Sequence, residues 1–281
     1  MLQTCTPLVS VCIPTYRGAE HLGAAIESVL AQSLTDFELL IIDDNSPDAT
    51  GRVVARYQDP RIRFLRNPSN LGPEGNWNKC LTESLGTYIK LLPQDDLLAP
   101  TCLEQQVAVL ERDGEQRRIA LVFCARTIID AEGRALITRR YAGGSRGVIS
   151  GQSLIRRCVR YGTNLIGEPG SVLFRRELAT AVGSFDAIVP YVIDLDYWFR
   201  LLLKGDAYYI PDPLVSFRVS PGSWSVAIGT RQGEEFCRFI KKIAKNSDYK
   251  LTRLDVVIDQ FMARLNNYLR LLFYHSVLKR G

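Results

Sequence analysis

Four short strand-like runs constrain what this chain can fold into more than any other feature. Residues 8–13, 37–42, 61–65 and 87–92 are too short for core helices, and three of them are mostly apolar. Runs of that kind read as strands buried on both faces, as in a parallel sheet. Helical segments lie between them. Residues 19–32 set Leu22, Ile26, Val29 and Leu30 on one stripe. Asn45-Ser46-Pro47-Asp48 supplies a cap, a first-turn proline and an acid for a helix to about Tyr57. Residues 74–85 make a third helix. Strand and helix alternate as βαβαβαβ, which predicts a doubly wound, mostly parallel α/β sheet of the Rossmann type. Ligands of such sheets bind beyond the carboxyl ends of the strands.

After residue 100 the pattern loosens. Residues 102–110 read as a helix. Residues 119–124 and short runs near Ile128 and Leu136 read as strands, the latter two around Glu132-Gly133. Tyr141 to Gly147 is a flexible loop by composition. A helix at 150–160, a strand at 171–174, a helix at 195–203, strands at 208–210 and 214–219 and two helices from Arg231 onward complete the reading. There is no internal repeat, no low-complexity stretch and no obvious linker.

Composition narrows the function. Hydrophobic residues are 46% and charged residues 23% of 281, with a formal net charge of +5. This is an ordinary globular balance, too weakly and diffusely basic to argue for nucleic acid. Seven widely spaced cysteines (5, 12, 80, 102, 124, 158 and 237), none in a C-x-x-C pair, suit small buried hydrophobes in a reducing, cytoplasmic setting. The start lacks signal-peptide features, and no stretch is long and apolar enough to span a bilayer.

Two acid pairs fall at predicted strand ends. Asp95-Asp96 follows the run ending at Leu92. Neighbouring side chains in an extended turn point apart, so one carboxylate suits a hard divalent cation and the other a hydroxyl. For an isolated pair, a solvated turn before a helix is the better explanation. Asp43-Asp44-Asn45-Ser46 ends the second strand. An acid there can accept a hydrogen bond from a base or ribose, although Asn45 or Ser46 also serves as a cap. Asp194, within Ile193-Asp194-Leu195-Asp196, sits at a predicted helix start, where the dipole favours its ionised form. Such a carboxylate can take a proton from a hydroxyl; a simple cap is the alternative. Arg200 can pair with Asp196 at i,i+4. His21 and His275 read as surface residues. Arg139, Arg140 and Arg146 flank the glycine loop, as a lid or as a solvated basic edge.

Taken in order, these segments resemble family 2 glycosyltransferases: Val9-Ser10-Val11-Cys12-Ile13-Pro14-Thr15-Tyr16, Ile41-Ile42-Asp43-Asp44-Asn45-Ser46, Asn70-Leu71-Gly72, Asp95-Asp96-Leu97-Leu98-Ala99-Pro100, Ser171-Val172-Leu173-Phe174-Arg175-Arg176, Val182-Gly183-Ser184-Phe185-Asp186 and Asp194-Leu195-Asp196-Tyr197-Trp198-Phe199-Arg200. The resemblance runs from about Val9 to about Ser225. It implies a GT-A fold over residues 1–225, with a nucleotide-binding half (1–100), an acceptor-binding half (101–225) and a C-terminal helical extension (226–281). It implies transfer of a sugar from a nucleoside diphosphate, a UDP-sugar first among donors, with inversion and with Mg²⁺ or Mn²⁺. The acceptor is a saccharide or lipid-linked saccharide, as in cell-surface polysaccharide synthesis. By position, Pro14, Thr15, Tyr16 and Asp44 line the nucleotide pocket, Asp95 holds the ribose, Asp96 ligates the metal and Asp194 is the catalytic base. Glu168 and Asp196 are candidate sugar or acceptor contacts.

The chain departs from the family pattern in places. Gln94 stands where many members carry an acid, Ile193-Asp194 replaces a Glu-Asp doublet, and Asn76-Trp77-Asn78 replaces Ala-Arg-Asn. Phe217-Arg218-Val219-Ser220 lacks the usual histidine, at Ser220. These departures motivate an alternative, a catalytically degenerate nucleotide-sugar-binding protein of the same fold. A sugar-phosphate nucleotidylyltransferase ranks low, because Pro14-Thr15-Tyr16-Arg17-Gly18 is not a glycine-rich phosphate loop. The last helix has an apolar face (Phe261, Leu265, Tyr268, Leu269, Leu272, Phe273) ringed by Arg264, Arg270, Lys279 and Arg280. It suits packing, a homodimer, or peripheral contact with the inner face of the cell membrane.

Overall fold

The computed structural model describes residues 6–142, 144–220 and 231–278. Cys5, Gly143, Pro221, Gly222, Ser223, Lys279 and Arg280 lie outside the described residues, as do the side chains of Phe273 and His275.

The first half follows the expected alternation. It runs β1 (Val9–Thr15), α1 (Leu22–Leu30), β2 (Phe37–Asp43), α2 (Thr50–Val54), β3 (Ile62–Arg66), α3 (Gly72–Glu83) and β4 (Tyr88–Leu91). β1 pairs in parallel with β2 on one side and β4 on the other, and β2 with β3. The order therefore reverses between β1 and β4, the crevice-forming switch of a doubly wound sheet. Alternate strand residues enter opposite layers. Val9, Val11 and Ile13 pack with Leu22, Ile26 and Val29 of α1. Cys12, Leu40 and Ile42 pack with Cys80 of α3 and with the helices below. Burial on both faces is why these strands are apolar throughout rather than alternating.

The second half continues through β5 (Leu97–Leu98), α4 (Cys102–Asp113), β6 (Ile119–Ile129), β7 (Ala135–Arg139), β8 (Gly147–Ile149), α5 (Gly151–Tyr161), β9 (Val172–Arg175), α6 (Arg176–Val182), α7 (Ile193–Leu202) and β10 (Asp206–Arg218). The sheet order is β3-β2-β1-β4-β9-β6-β10-β5, with β7 on β6 and β8 on β10. β9 is antiparallel to both β4 and β6, and so inserts between the two halves.

Three readings of the sequence change here. β6 and β10 are single long strands, not pairs of short ones. In β10 the signal breaks at Pro211 and Pro213, and the pairing with β6 shifts register around Pro213. A bulge absorbs residues that cannot donate to the ladder. The Tyr141 loop is anchored, because Tyr141 is buried, its ring meets Phe123 and Tyr209, and its N–H donates to the Tyr209 hydroxyl.

α8 (Gln232–Ile243) and α9 (Arg253–Leu278) follow. α9 packs on α8 and α5. It comes so near that a Cβ on Gly162, at φ 60°, would lie 2.2 Å from the Ala263 nitrogen. Only glycine tolerates both that backbone and that approach. The described cysteines are free and buried. Among the described residues no helix is long and apolar enough to cross a membrane.

Candidate active site

The ends of β1, β2 and β4 deliver the first group of predicted residues to one edge of the sheet. Thr15 ends β1 opposite Asp43 of β2, and the Asp44 N–H donates to the Thr15 carbonyl at 2.8 Å. Asp43 closes its own turn by accepting from the Ser46 N–H at 3.0 Å. Asp44 is buried and held by three donors: Asn67 Nδ2 at 2.7 Å, Leu71 N at 2.8 Å and Gly72 N at 2.9 Å. The Asn70-Leu71-Gly72 motif is thus the cradle of Asp44.

Gln94 links β1 to the acid pair. Its Oε1 accepts from Thr15 Oγ1 at 2.5 Å and from the Tyr16 N–H at 2.9 Å, while its Nε2 donates to the Tyr16 carbonyl at 3.1 Å. A carboxylate cannot make the last bond, which gives the departure at this position a physical reason. Gly18 closes against the same latch, since a Cβ there would stand 2.3 Å from Thr15 Oγ1. Pro14 precedes this loop within β1, and Tyr16 projects from it, 41% exposed.

Asp95 and Asp96 follow, with different surroundings. Burial raises the pKa of Asp95, against the positive influence of His21 and Arg218. The side chain of His21 is only 21% exposed and lies next to Glu20, so it is not a plain surface residue. Asp96 is wholly buried. Its Oδ1 accepts from the Arg218 N–H at 3.0 Å, and its Oδ2 has no hydrogen-bond partner. Burial first, then the charges of Asp95 and Glu168, push its pKa well up. Arg218 ends β10. Its Nε donates to the Asp95 carbonyl at 3.0 Å, and its Nη1 to the carbonyls of Asp130 and Ala131. It holds the acid pair from below and from the side.

The second half supplies the rest. The turn at Pro169–Ser171 lies over Asp96, with a Cβ on Gly170 falling 3.7 Å from Asp96 Oδ2. Glu168, just before it, forms an ion pair with the buried Arg126 of β6. Asp194, in the first turn of α7, accepts from the Leu195 N–H at 2.7 Å and from Asn164 Nδ2 at 3.2 Å. Asn164 also closes its own loop through Ile166 N, Gly167 N and the Gly167 carbonyl. Burial, with the Glu168 charge, raises the Asp194 pKa to about 7, against the Leu195 N–H and Arg126. The expectation that the helix dipole keeps this acid ionised is corrected, because desolvation outweighs it.

Asp44, Asp95, Asp96, Glu168 and Asp194 thus belong to one continuous set of contacts along the sheet edge. Asp196 does not. It is buried beside Arg200, at 2.8 Å, and Arg200 donates onward to the Val182 and Ser184 carbonyls. Two residues along a helix turn a side chain by about 200° from Asp194, away from Glu168. Arg146 is no free lid either, since it pairs with Asp212. Gln94, Arg126, Asn164 and Arg218 are the residues that the sequence reading left without a role. Gln94 and Arg218 carried a signal, Gln94 as a departure next to the acid pair and Arg218 by its place in Phe217-Arg218-Val219-Ser220.

Among the described residues no three His, Cys, Asp or Glu side chains converge to hold a metal on their own. The donor set that does fit is narrower: the buried, unpartnered Asp96 Oδ2, with Asp95 alongside. A hard divalent cation that takes its other ligands from diphosphate and water suits it.

Acids at the carboxyl edge of a doubly wound sheet stand where folds of this kind bind nucleotides. The family model for "Glycosyl transferase family 2" matches residues 10–182. The chain belongs to that family, and its fold is GT-A. An uncharacterized protein of Mycobacterium tuberculosis is 33% identical over 74% of this chain and 66% of its own length. An uncharacterized glycosyltransferase of Rickettsia typhi is 29% identical over 86% of this chain and 74% of its own. Among solved structures, S. aureus TarS in complex with UDP-GlcNAc superposes with a TM-score of 0.69 at 18% identity, covering 93% of this chain and 72% of TarS. The mannosyltransferase PcManGT from Pyrobaculum calidifontis, in complex with GDP-Man and Mn²⁺, gives 0.66 at 18%, covering 98% and 74%.

Proposed function

We propose that this chain is an inverting, metal-dependent glycosyltransferase. It moves a sugar from a nucleoside-diphosphate donor, a UDP-sugar first, to a saccharide or lipid-linked saccharide, in cell-surface polysaccharide synthesis on the cytoplasmic side of the membrane. The observation that carries the reading is Asp96: a buried carboxylate with an unpartnered oxygen, in the electrostatic field of Glu168, which also acts on Asp194. The nucleotide-bound state of TarS and the GDP-Man and Mn²⁺ complex of PcManGT support donor type and metal.

In this reading residues 1–100 bind the nucleotide and residues 101–225 the acceptor. Pro14, Thr15 and Tyr16 border the base, and the second lone pair on Asp44 Oδ2 accepts from a base N–H. Asp95 holds the ribose. Asp96, as ligand to Mg²⁺ or Mn²⁺, brings in a cation that neutralises charge growing on the departing diphosphate. Glu168, fixed by Arg126, contacts sugar hydroxyls. Asp194 removes the acceptor proton; an acid raised to about 7 is well matched to that work near neutral pH.

A thermal-shift screen of nucleotide sugars, with and without Mn²⁺, tests this directly. One donor should raise Tm only with the metal, by several degrees at saturation, and Asp96→Ala should abolish the rise. A rise that Asp96→Ala leaves intact would remove the metal assignment.

A further inference from the structure

The structure points to a second surface, remote from the sugar chemistry. We propose that the solvent face of α9 docks on an anionic lipid bilayer. Leu254, Val257, Phe261, Leu265, Tyr268 and Leu272 are exposed, Phe261 to 68%. Steps of three and four set them on one stripe, about 27 Å long at 1.5 Å per residue. Large apolar side chains exposed in such a row, on an otherwise folded domain, mark an interaction site.

The occupant follows from how α9 distributes its charges. Both of its acids point inward. Asp255 is fully buried, bonded to Arg160 and Thr252, and Asp259 is fully buried near Lys241 of α8. Arg253 and Arg264 are exposed beside the stripe. Arg270 is engaged with the Tyr191 hydroxyl and Asn267. The outer face of α9 from residue 252 to 272 therefore shows apolar groups and cations and no carboxylate. A second copy complements this poorly. The midpoint of the stripe is next to Arg264, so a twofold antiparallel pair, like a parallel one in register, sets Arg264 near its own copy with no acid to offset it. A surface of anionic headgroups over hydrocarbon complements both features. Spanning is not the mode, since α9 does not meet the length and hydropathy of a crossing helix.

The stripe also has a direction. Its carboxyl-terminal half is tied through Arg270 to Tyr191, three residues before Asp194. Arg270 lies on the opposite side of α9 from the stripe, so a bilayer on this face stands about one helix diameter, roughly 10 Å, from the segment that carries the proposed base. That consequence rests on the proposed function; docking itself does not.

Vesicle flotation of the full chain tests the proposal, using phosphatidylcholine alone and phosphatidylcholine mixed with phosphatidylglycerol. The wild type should partition at least about tenfold more onto the anionic vesicles, and added salt should erase the difference. Phe261→Glu, a change at an exposed position, should lower binding about tenfold or more with an unchanged circular dichroism melt. The double variant Arg253→Gln/Arg264→Gln should reduce the preference for anionic over neutral vesicles by a similar factor. Absence of binding, or binding that neither variant weakens, overturns the proposal. So does a concentration-dependent dimer in sedimentation velocity that Phe261→Glu disperses while vesicles are ignored, which would assign the face to a second copy.

Discussion

At Asp194 two opposed effects meet. Burial and the Glu168 charge disfavour the carboxylate, and the Leu195 N–H and Arg126 favour it; the balance stands at about 7. An acid that works as a base must be ionised, so the transfer rate should rise roughly tenfold per pH unit below that value and level off above it. A flat profile from pH 5 to 8 would show that Asp194 does not limit the reaction. Asp194→Asn should cut transfer by about 10³-fold, within the usual range for a general base, while calorimetry finds nucleotide affinity unchanged within about twofold. Loss of nucleotide binding would make the residue structural. Asn164 is the supporting case: its amide donates to Asp194 Oδ2 and stabilises the charged form. Asn164→Ala should move the acidic limb of the profile upward by about half a unit to one unit, which a purely structural residue would not do.

At the scale of elements, the site depends on latches between strand ends. Gln94 ties the β4 end to the β1 end with three hydrogen bonds. Gln94→Ala should cost about 1–3 kcal/mol of stability and weaken nucleotide binding at the same time, seen by denaturant melts and titration. Stability lost with full nucleotide affinity would separate the latch from the pocket. The α8–α9 pair offers a different test in Asp259, buried, with Oδ1 unpartnered and a pKa pushed by burial to about 7. The folded protein keeps this proton where the unfolded chain has released it, from about pH 4 upward. Stability therefore falls as pH rises from about 4 to about 7, and the loss is complete above that. Asp259→Asn should destabilise the protein by about 1–2 kcal/mol at pH 4, because the amide also lacks partners, and should stabilise it by ~2 kcal/mol at pH 8, since a shift from about 4 to about 7 is worth roughly 4 kcal/mol between the two. An equal effect at both pH values would contradict the assigned titration.

One sheet runs from the first half of the chain through β9 to the second. Donor binding should accordingly slow amide exchange in residues 15–18, 44–46, 94–96 and 164–170 together. Protection confined to the first hundred residues would place residues 164–170 outside the donor site. Much of this architecture was legible beforehand. β1, β2 and β4 are buried on both faces and so announce themselves as mostly apolar runs, with Asp44 and the Asp95-Asp96 pair at their ends, whereas β3 is a half-exposed strand at the end of the sheet. β5 and β8, two and three residues long, were not, because strands that short leave no period. The split of β10 was misread because two prolines carry the same local signal whether a strand ends or bulges. Local sequence determined most strands and helices, since these depend on neighbours a few positions away, but not the caps: α2 starts at Thr50 without the cap expected from Asn45 or Ser46. Only the tertiary structure decided that Arg218 braces an acid pair 122 positions earlier, that Asp194 titrates near neutrality, and that Asp196 turns to Arg200 and leaves the site. Desolvation and ion pairing are set by groups distant along the chain, and nothing in a residue's own neighbourhood encodes them.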